Sequence, residues 1–268
     1  MENLSIIVPA YKEPYLNKTL KSIRDNAKGE IEIITIKDNH SMRGAINKGL
    51  KKATGKYIMK VDSHCAFAHG YDEILKRDCK EDWLMIPRRY PLNADKWDKT
   101  MERNVKDYHY ISYLVDKAFY PVFWRQKTQD RIMKPEHNID DTMIFQGSCY
   151  FAHREYFMKR VGYLDEKNYG SYGGEQMEIG LKYWLGGGEV KVNKNTWYAH
   201  LFKNSKYYIG KPEAWKHKLN LRRNSKYKWI TKHWINNEEP GMKHKFEWLI
   251  EKFWPVPSWP EDRTKWKI

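Results

Sequence analysis

The stretch Lys56-Tyr-Ile-Met-Lys-Val-Asp-Ser-His64 decides the fold, because it has the composition of a buried strand followed by two polar side chains. We predict that strand over residues 56–61. Two earlier apolar runs, residues 5–8 and residues 30–36, have the same character. A helical pattern separates each run from the next. Strand, helix and strand, repeated twice, predict a parallel sheet with right-handed crossovers.

The two intervening segments carry the spacing of helices. Leu16, Leu20 and Ile23 fall on one face of the first, which is predicted to begin at Glu13. The second is predicted over residues 42–53. Farther along, the patterns predict a strand at residues 143–151, a helix at 175–185, a strand at 189–193 followed by residues 197–202, and helices and loops over residues 88–140.

A segment that contains at least one polar side chain follows each of the three predicted strands. These segments are the turn Pro9-Ala10-Tyr11, then Asp38, then the pair Asp62 and His64. Ligands of such sheets collect outside the carboxyl ends of the strands, so we expect these groups to lie close together. Two residues apart on extended backbone, Asp62 and His64 point the same way and can hold one divalent ion, Mn²⁺ or alternatively Mg²⁺. The simpler alternative is a turn-capping Asp beside a surface His.

The length and composition indicate which class of domain the chain forms and which kinds of partner it favours. The chain has 268 residues, a formal net charge of +15 and 15% aromatic residues. This length suits an α/β domain with an appendage. A basic surface favours anionic partners such as nucleotides, nucleic acid or acidic lipid, and a merely soluble Lys-rich protein is an equal alternative. No apolar run reaches the roughly 18 residues of a membrane-spanning helix.

The N-terminus and the cysteines bear on location. Residues 1–14 predict a first strand rather than a secretory signal. The three cysteines, Cys65, Cys79 and Cys149, lack zinc-site spacing, and their odd number argues against a disulfide framework. We therefore expect a reducing cytoplasm, that of the host if the gene is viral.

Several motifs together resemble a known family. SIIVPAYKEPYLNKTLKSI, residues 5–23, resembles the opening of family 2 glycosyltransferases of the GT-A fold. VDSHCAFAHGYDEIL, residues 61–75, resembles the acid-x-His-Cys segment of the polypeptide N-acetylgalactosaminyltransferases. Further motifs follow in that family's order: GSCYFAHREYF at 147–157, GYLD at 162–165, YGGEQMEI at 172–179, WLGGG at 184–188 and HLFK at 200–203.

This resemblance spans residues 3–210 and implies a GT-A fold, with a Rossmann-like, mostly parallel central sheet flanked by helices. The chain departs from the family at two positions, where Tyr172 replaces a Trp and Gln176 replaces an Asn. We expect no counterpart of the family's downstream lectin module. The donor chemistry is therefore expected to carry over better than the acceptor.

The resemblance also implies site residues. Asp62, His64 and His200 would be the metal ligands. A core histidine beside Trp197 and Phe202 is the alternative for His200, and the motif match favours the ligand. Residues of the first two strand ends and the second helix would contact the uridine diphosphate: Pro9, Ala10, Tyr11, Asp38 and Arg43. Alternatively, Asp38 caps a turn and Tyr11 is an ordinary strand-end aromatic.

The donor sugar is assigned to the segment before the helix predicted at 175–185. Gly173 and Gly174 would allow close approach of the backbone to a sugar, and Glu175 would contact it near the reacting face. Glu175, Asp62 and His200 are the predicted catalytic residues. An acid that complements the helix dipole is the alternative for Glu175. The resemblance implies retention of anomeric configuration, and no covalent nucleophile is named.

Residues 203–211 would form a loop that closes over the donor. In the closed state Lys203 and Tyr208 would reach the pyrophosphate. A solvated basic loop is the alternative for both residues. Glu178, three residues after Glu175, is predicted to hold neighbouring side chains.

The C-terminal part suggests an acceptor. Between residues 203 and 232, basic side chains interleave with Tyr and Trp, and Glu213 is the sole acid. Cations for phosphates and flat rings for bases suit a nucleic-acid surface, whereas a basic amphipathic helix on the core or on an acidic membrane is an equal alternative. We predict a catalytic domain at residues 1–210 and a basic, Trp-rich extension at 211–268 that packs on it.

These inferences lead to three functional hypotheses. The first is a metal-dependent transferase that moves a sugar from a UDP-sugar, a hexose or N-acetylhexosamine, to a hydroxyl of 5-hydroxymethyl-pyrimidine in DNA. The second is a transferase acting on a cell-surface polysaccharide, a lipid-linked sugar or a protein hydroxyl. The third is a non-catalytic module that binds a sugar nucleotide or nucleic acid.

Overall fold

The computed structural model describes residues 3–38, 40–100, 105–114, 118–202 and 225–266. In this part of the chain an α/β arrangement surrounds one large mixed sheet. Among the helices described, none combines the length and the apolar character needed to cross a lipid bilayer.

The sheet contains nine of the eleven described strands. The strands are β1 (Leu4–Ala10), β2 (Ile31–Lys37), β3 (Tyr57–Val61), β4 (Cys65–Phe67), β5 (Trp83–Asn93), β6 (Asp98–Lys99), β7 (His109–Ile111), β8 (Pro121–Phe123), β9 (Ile139–Asp141), β10 (Cys149–His153) and β11 (Glu189–His200). β7 and β8 form a separate antiparallel pair.

The main path of the sheet runs β2-β1-β3-β10-β5-β11-β4. β2, β1 and β3 are parallel to one another, and β11 is parallel to β5. β10 runs antiparallel to both β3 and β5, and β4 runs antiparallel to β11. Five of the seven strands in this path therefore point the same way, as expected for a mostly parallel sheet.

Nine α-helices lie in the described ranges. They are α1 (Leu16–Asn26), α2 (Met42–Lys52), α3 (Tyr71–Asp78), α4 (Arg125–Arg131), α5 (Arg154–Arg160), α6 (Glu166–Tyr169), α7 (Glu175–Leu185), α8 (Ser225–Ile235) and α9 (Phe246–Lys252). Short 3₁₀ turns span Pro135–His137 and Arg263–Trp266.

The predicted β-α-β-α-β unit is present, with boundaries that differ by one to three residues. The largest difference is at α1, which begins at Leu16 instead of Glu13, because the Glu13 side chain accepts a hydrogen bond from the backbone N–H of Tyr15 and closes a turn first. Helix α2 begins where Ser41 accepts a bond from the Gly44 N–H. The predicted helix at 175–185 coincides with α7.

The centre of the chain differs from its prediction. Residues 88–140 were expected to supply helices and loops, but β5 reaches Asn93 and lies inside the sheet, between β10 and β11. Its arginines and prolines interrupt the apolar pattern by which a buried strand is recognised. The strand predicted at 143–151 begins only at Cys149, because the preceding apolar residues fill the core without joining the ladder.

The last strand is longer than predicted. Residues 189–193 and 197–202 were expected as separate segments, but β11 runs from Glu189 to His200 with an irregularity between Asn193 and Trp197. Because of that irregularity, β11 pairs with β5 along its length. Its last residue, His200, then lies opposite Cys65 of β4.

Apolar clusters cover the two faces of the sheet. One contains Ile23 of α1 and Leu75 of α3 packed against β1 and β3. The other contains residues of α2, α7, α8 and α9. In this second cluster Trp234 of α8 is fully buried, and its indole N–H donates to the Tyr169 hydroxyl at 2.8 Å. The described C-terminal residues are thus part of the same core, and the boundary at residue 210 stays a prediction.

Candidate active site

A pocket opens at the carboxyl end of β1, where the sequence predicted the nucleotide. Its volume is about 590 Å³ and it is lined by Ala10, Tyr11, Lys12, Glu13, Pro14, Leu16 and Lys37. Pro9 lies one residue back in β1, and Tyr11 is half exposed at the pocket. An exposed ring beside an open pocket can stack on a flat base.

Asp38 lies at the neighbouring end of β2 and caps the turn into α2. Its carboxylate accepts bonds from the backbone N–H groups of His40 and Ser41 and from Lys48 Nζ at 2.6 Å. The Lys48 hydrogen bond and the His40 amide lower the pKa of Asp38 to about 2. This is the turn-capping arrangement of the sequence analysis, and contact of Asp38 with a donor stays a prediction.

The structure brings together Asp62, His64 and His200. One potential ligand atom from each lies within 4.8 Å of the others. Asp62 and His64 follow β3, and His200 is the last residue of β11, opposite Cys65. Nε2 of His200 donates to Oδ2 of Asp62 at 3.2 Å, and the two imidazole rings are 4.8 Å apart. One carboxylate and two imidazoles can bind a divalent transition-metal ion such as Mn²⁺.

The charge states of this cluster favour metal binding. Burial raises the pKa of Asp62, but the charge of Lys60 and the His200 hydrogen bond outweigh it and hold the pKa well below its usual range. Burial lowers the pKa of His200 to about 4, despite the hydrogen bond to Asp62. At neutral pH these two residues offer a carboxylate and a neutral imidazole, which are the forms that bind metals.

Lys60 is a site residue that the sequence analysis missed. Its side chain is 1% exposed, and Nζ donates to Asp62 Oδ1 at 2.6 Å, Gly147 O at 2.6 Å and Glu175 Oε1 at 3.1 Å. Burial opposes the charged form, but Asp62 and Glu175 raise the pKa of Lys60 well above its usual range. A lysine inside an otherwise apolar strand was the available signal.

Glu175 lies at the first position of α7, in contact with the metal-ligand cluster through Lys60. Burial raises its pKa, and Lys60 only partly offsets this. Among the described residues, the buried Oε2 of Glu175 has no hydrogen-bond partner, so its capacity to accept a hydrogen bond is unused there. Gly173 and Gly174 adopt the left-handed backbone region, with φ of 77° and 73°, and allow the sharp entry into α7.

Arg43 lies behind this segment. Its guanidinium pairs with Glu178 at full burial, donates to Gly173 O at 3.1 Å and lies 4.7 Å from the centre of the Tyr169 ring. Arg43 therefore supports the backbone before Glu175 from the core side. Glu178 has the holding role predicted for it. Lys203 and Tyr208, the remaining predicted donor contacts, lie outside the described residues.

Comparisons with known proteins agree with the GT-A fold. No protein-family model matches the chain. The chain is 27% identical over 193 residues to polypeptide N-acetylgalactosaminyltransferase 5 of Rattus norvegicus, covering 67% of this chain and 19% of the relative. It is 28% identical over 182 residues to a probable N-acetylgalactosaminyltransferase 9 of Caenorhabditis elegans, covering 65% of this chain and 30% of the relative. The chain thus spans less than a third of either relative.

Among solved structures, the fold is similar to that of GalNAc-T7 in complex with UDP, GalNAc and Mn²⁺. The TM-score is 0.63 at 14% sequence identity, over 93% of this chain and 57% of the other. At that identity the likeness establishes the fold and not the activity. The chain therefore has the GT-A fold and resembles the catalytic domain of the polypeptide N-acetylgalactosaminyltransferases.

Proposed function

We propose that the protein is a metal-dependent glycosyltransferase that transfers a sugar from a UDP-sugar to a hydroxyl acceptor. The observation that carries the proposal is the convergence of Asp62, His64 and His200, which come from two distant segments of the chain, within 4.8 Å. The GT-A fold, the pocket at the end of β1 and the names of the relatives support it.

Each group has a task in this reaction. Tyr11 and Ala10 line the pocket that would take the uridine. Asp62, His64 and His200 would hold a divalent ion of the Mn²⁺ type, which supplies positive charge to the departing diphosphate. Glu175, with its unpartnered Oε2, would accept a hydroxyl hydrogen bond from the donor sugar and so orient it. Lys60 keeps the Asp62 and Glu175 carboxylates in place. Retention of anomeric configuration is part of the proposal.

Three classes of acceptor molecule are candidates for this transfer. The relatives are named as polypeptide transferases, which favours a protein hydroxyl. A hydroxymethyl-pyrimidine in DNA was predicted from basic and aromatic residues at 203–232, and most of these lie outside the described residues. A cell-surface polymer or lipid-linked sugar is the third candidate class.

An assay of UDP release tests the proposal. The chain is incubated with Mn²⁺ and, in turn, UDP-GalNAc, UDP-GlcNAc, UDP-glucose and UDP-galactose, with chelator as the control. We expect slow release with water as acceptor and faster release when the acceptor is a Ser/Thr peptide or hydroxymethylated DNA, with the product identified by mass spectrometry. Release of no UDP with any donor would favour a non-catalytic binding module, and release that persists with chelator would contradict the metal dependence.

A further inference from the structure

A second group of cations lies next to the metal-ligand cluster and has no role in the reaction described so far. Arg89 of β5 is 4% exposed, lies opposite Tyr198 of β11, and donates from Nη2 to His109 Nε2 at 3.2 Å. Its Nε is buried and has no hydrogen-bond partner among the residues that the structure describes. Within the described part of the chain no carboxylate pairs with this guanidinium.

The adjacent arginine shows the contrast. Arg88 donates to both carboxylate oxygens of Asp107, at 3.2 Å from Nε to Oδ1 and 2.9 Å from Nη2 to Oδ2. It also donates to Ile132 O. Asp107 is thus engaged by Arg88, and Asp62 is engaged by Lys60 and His200. Burial of a guanidinium without a paired acid has a large desolvation cost. We therefore expect Arg89 to bind an anion from outside the described chain.

Lys106 adds a second cation on the same side. Its backbone N–H donates to Arg89 O at 3.0 Å, and its Nζ lies 4.5 Å from the centre of the Phe202 ring. The Arg89 guanidinium lies 5.3 Å from the centre of the same ring. Phe202 is 42% exposed, and its ring is 5.1 Å from that of His200. Arg89, Lys106, His109 and Phe202, called here the Arg89 cluster, therefore form one group that extends from the exposed Phe202 ring to the buried Arg89 guanidinium and contacts His200 through Phe202.

The position of the cluster separates it from the predicted uridine contacts. Those contacts lie at the end of β1, whereas the metal-ligand cluster follows β3 and Arg89 lies on β5, across β10. In the strand order Arg89 therefore lies beyond Asp62 from the nucleotide pocket and next to β11, the strand that carries His200. A donor with its uridine in the pocket at β1 and its diphosphate and sugar toward the metal ligands would leave the region around Arg89 for the second substrate.

We propose that the Arg89 cluster binds an anionic group of the acceptor, with the charge of a phosphate or carboxylate, next to the metal-ligand cluster. Arg89 offers a planar donor array for the anion, and Lys106 adds a point charge at the exposed edge. Assignment of the anion to the acceptor rests on the proposed glycosyltransferase function. The existence of an anion site at the Arg89 cluster does not depend on that function.

Titration calorimetry with sulfate tests the site. Sulfate is added to protein loaded with UDP and Mn²⁺, at an ionic strength held constant with chloride. We expect saturable binding at one site, about tenfold or more weaker in Arg89→Met and about two- to fivefold weaker in Lys106→Met. Arg89→Lys should retain more affinity than Arg89→Met. Lys21→Met is the control, because Lys21 is exposed and pairs only with Asp25 in the described structure.

Three results would overturn the proposal. They are the absence of saturable sulfate binding, equal affinity in the wild type and Arg89→Met, and sulfate binding that occurs only in a parallel titration without UDP, which would assign the cluster to the donor diphosphate. If Arg89→Met does not fold, unchanged affinity in Lys106→Met would overturn it. Sulfate binding by a protein that releases no UDP would refute the proposed function and leave the anion site standing.

Discussion

Lys60 Nζ lies 2.6 Å from Asp62 Oδ1, so the carboxylate predicted to bind the metal is already paired with a buried cation. The same ammonium also contacts Glu175. In the absence of a metal ion, Lys60 is therefore the counter-charge for the partly buried Asp62 and the buried Glu175. A divalent cation at Asp62 would share that carboxylate with Lys60 and would be repelled by it.

The Lys60→Met variant should separate the role of Lys60 as counter-charge for Asp62 and Glu175 from its repulsion of a divalent cation. Without metal it leaves Asp62 and Glu175 uncompensated, and we expect a loss of about 3–5 kcal/mol in the free energy of unfolding. Mn²⁺ should restore more stability to the variant than it adds to the wild type, because the competing cation is gone. Thermal melts with and without Mn²⁺ measure both effects. An equal Mn²⁺ shift in the two proteins would contradict the competition.

The His200→Ala variant tests the metal-ligand cluster. Removal of a ligand should weaken Mn²⁺ binding by at least about a hundredfold, since loss of outer partners alone costs about 10- to 100-fold. Metal-dependent UDP release should disappear, while the fold is retained. His69→Ala is the matched control, because His69 is exposed and lies outside the cluster. Unchanged Mn²⁺ affinity in His200→Ala, measured by calorimetry, would remove His200 from the site.

Local patterns predicted the parts of this site that depend on neighbours in sequence. The apolar run before Asp62 and the spacing of Asp62 and His64 were sufficient to place two polar groups at a strand end. His200 joins them through the pairing of β11 with β4 and β5, which no local period encodes. Its role was inferred only from the resemblance to a family.

The residues that sequence reasoning missed are charged side chains inside strands. Lys60 and Arg89 interrupt the apolar pattern of β3 and β5, and their partners are 115 residues away at Glu175 and 20 residues away at His109. Such ion pairs and orphaned charges form only when the sheet assembles. For the same reason β5 was expected as helix and loop. Charged exceptions to a buried pattern were thus the available sequence signal for Lys60 and Arg89.

Gly147 should control the position of Glu175. A Cβ at residue 147 would overlap the Glu175 carboxylate, whereas the glycine backbone carbonyl accepts a bond from Lys60. We expect Gly147→Ala to displace Glu175 and to lower kcat for transfer by about 10- to 100-fold. In a Glu175→Ala background the same change should have little further effect on kcat. Independent, additive losses in the double variant would contradict this coupling.

The Arg43→Met variant distinguishes support of the core from contact with the donor. Arg43 and Glu178 are both fully buried, so removal of the guanidinium should destabilise the protein by about 3–5 kcal/mol. Glu178→Gln in the same chain should recover part of this loss. Chemical denaturation measures the stability, and steady-state kinetics measure the KM for the donor. A raised donor KM without any loss of stability would instead support the direct nucleotide contact predicted for Arg43.

The pH dependence of stability should report on His109. Burial and the charges of Arg89 and Lys106 lower the pKa of His109 well below its usual value. The unfolded chain takes up a proton at this residue near pH 6.5, whereas the folded chain does not. The His109 contribution is therefore complete above about pH 6.5 and is lost as the pH falls below it, with a slope of up to about 1.4 kcal/mol per pH unit.

Denaturation of the wild type and of His109→Gln between about pH 8 and pH 5 isolates this contribution, since other titrating groups are common to both proteins. The wild type should lose stability more steeply than the variant below about pH 6.5. Sulfate should reduce the difference more than chloride does at the same ionic strength, because an anion bound at Arg89 makes protonation of His109 in the folded state less costly. Parallel curves for the two proteins would show that His109 is not held neutral by its surroundings.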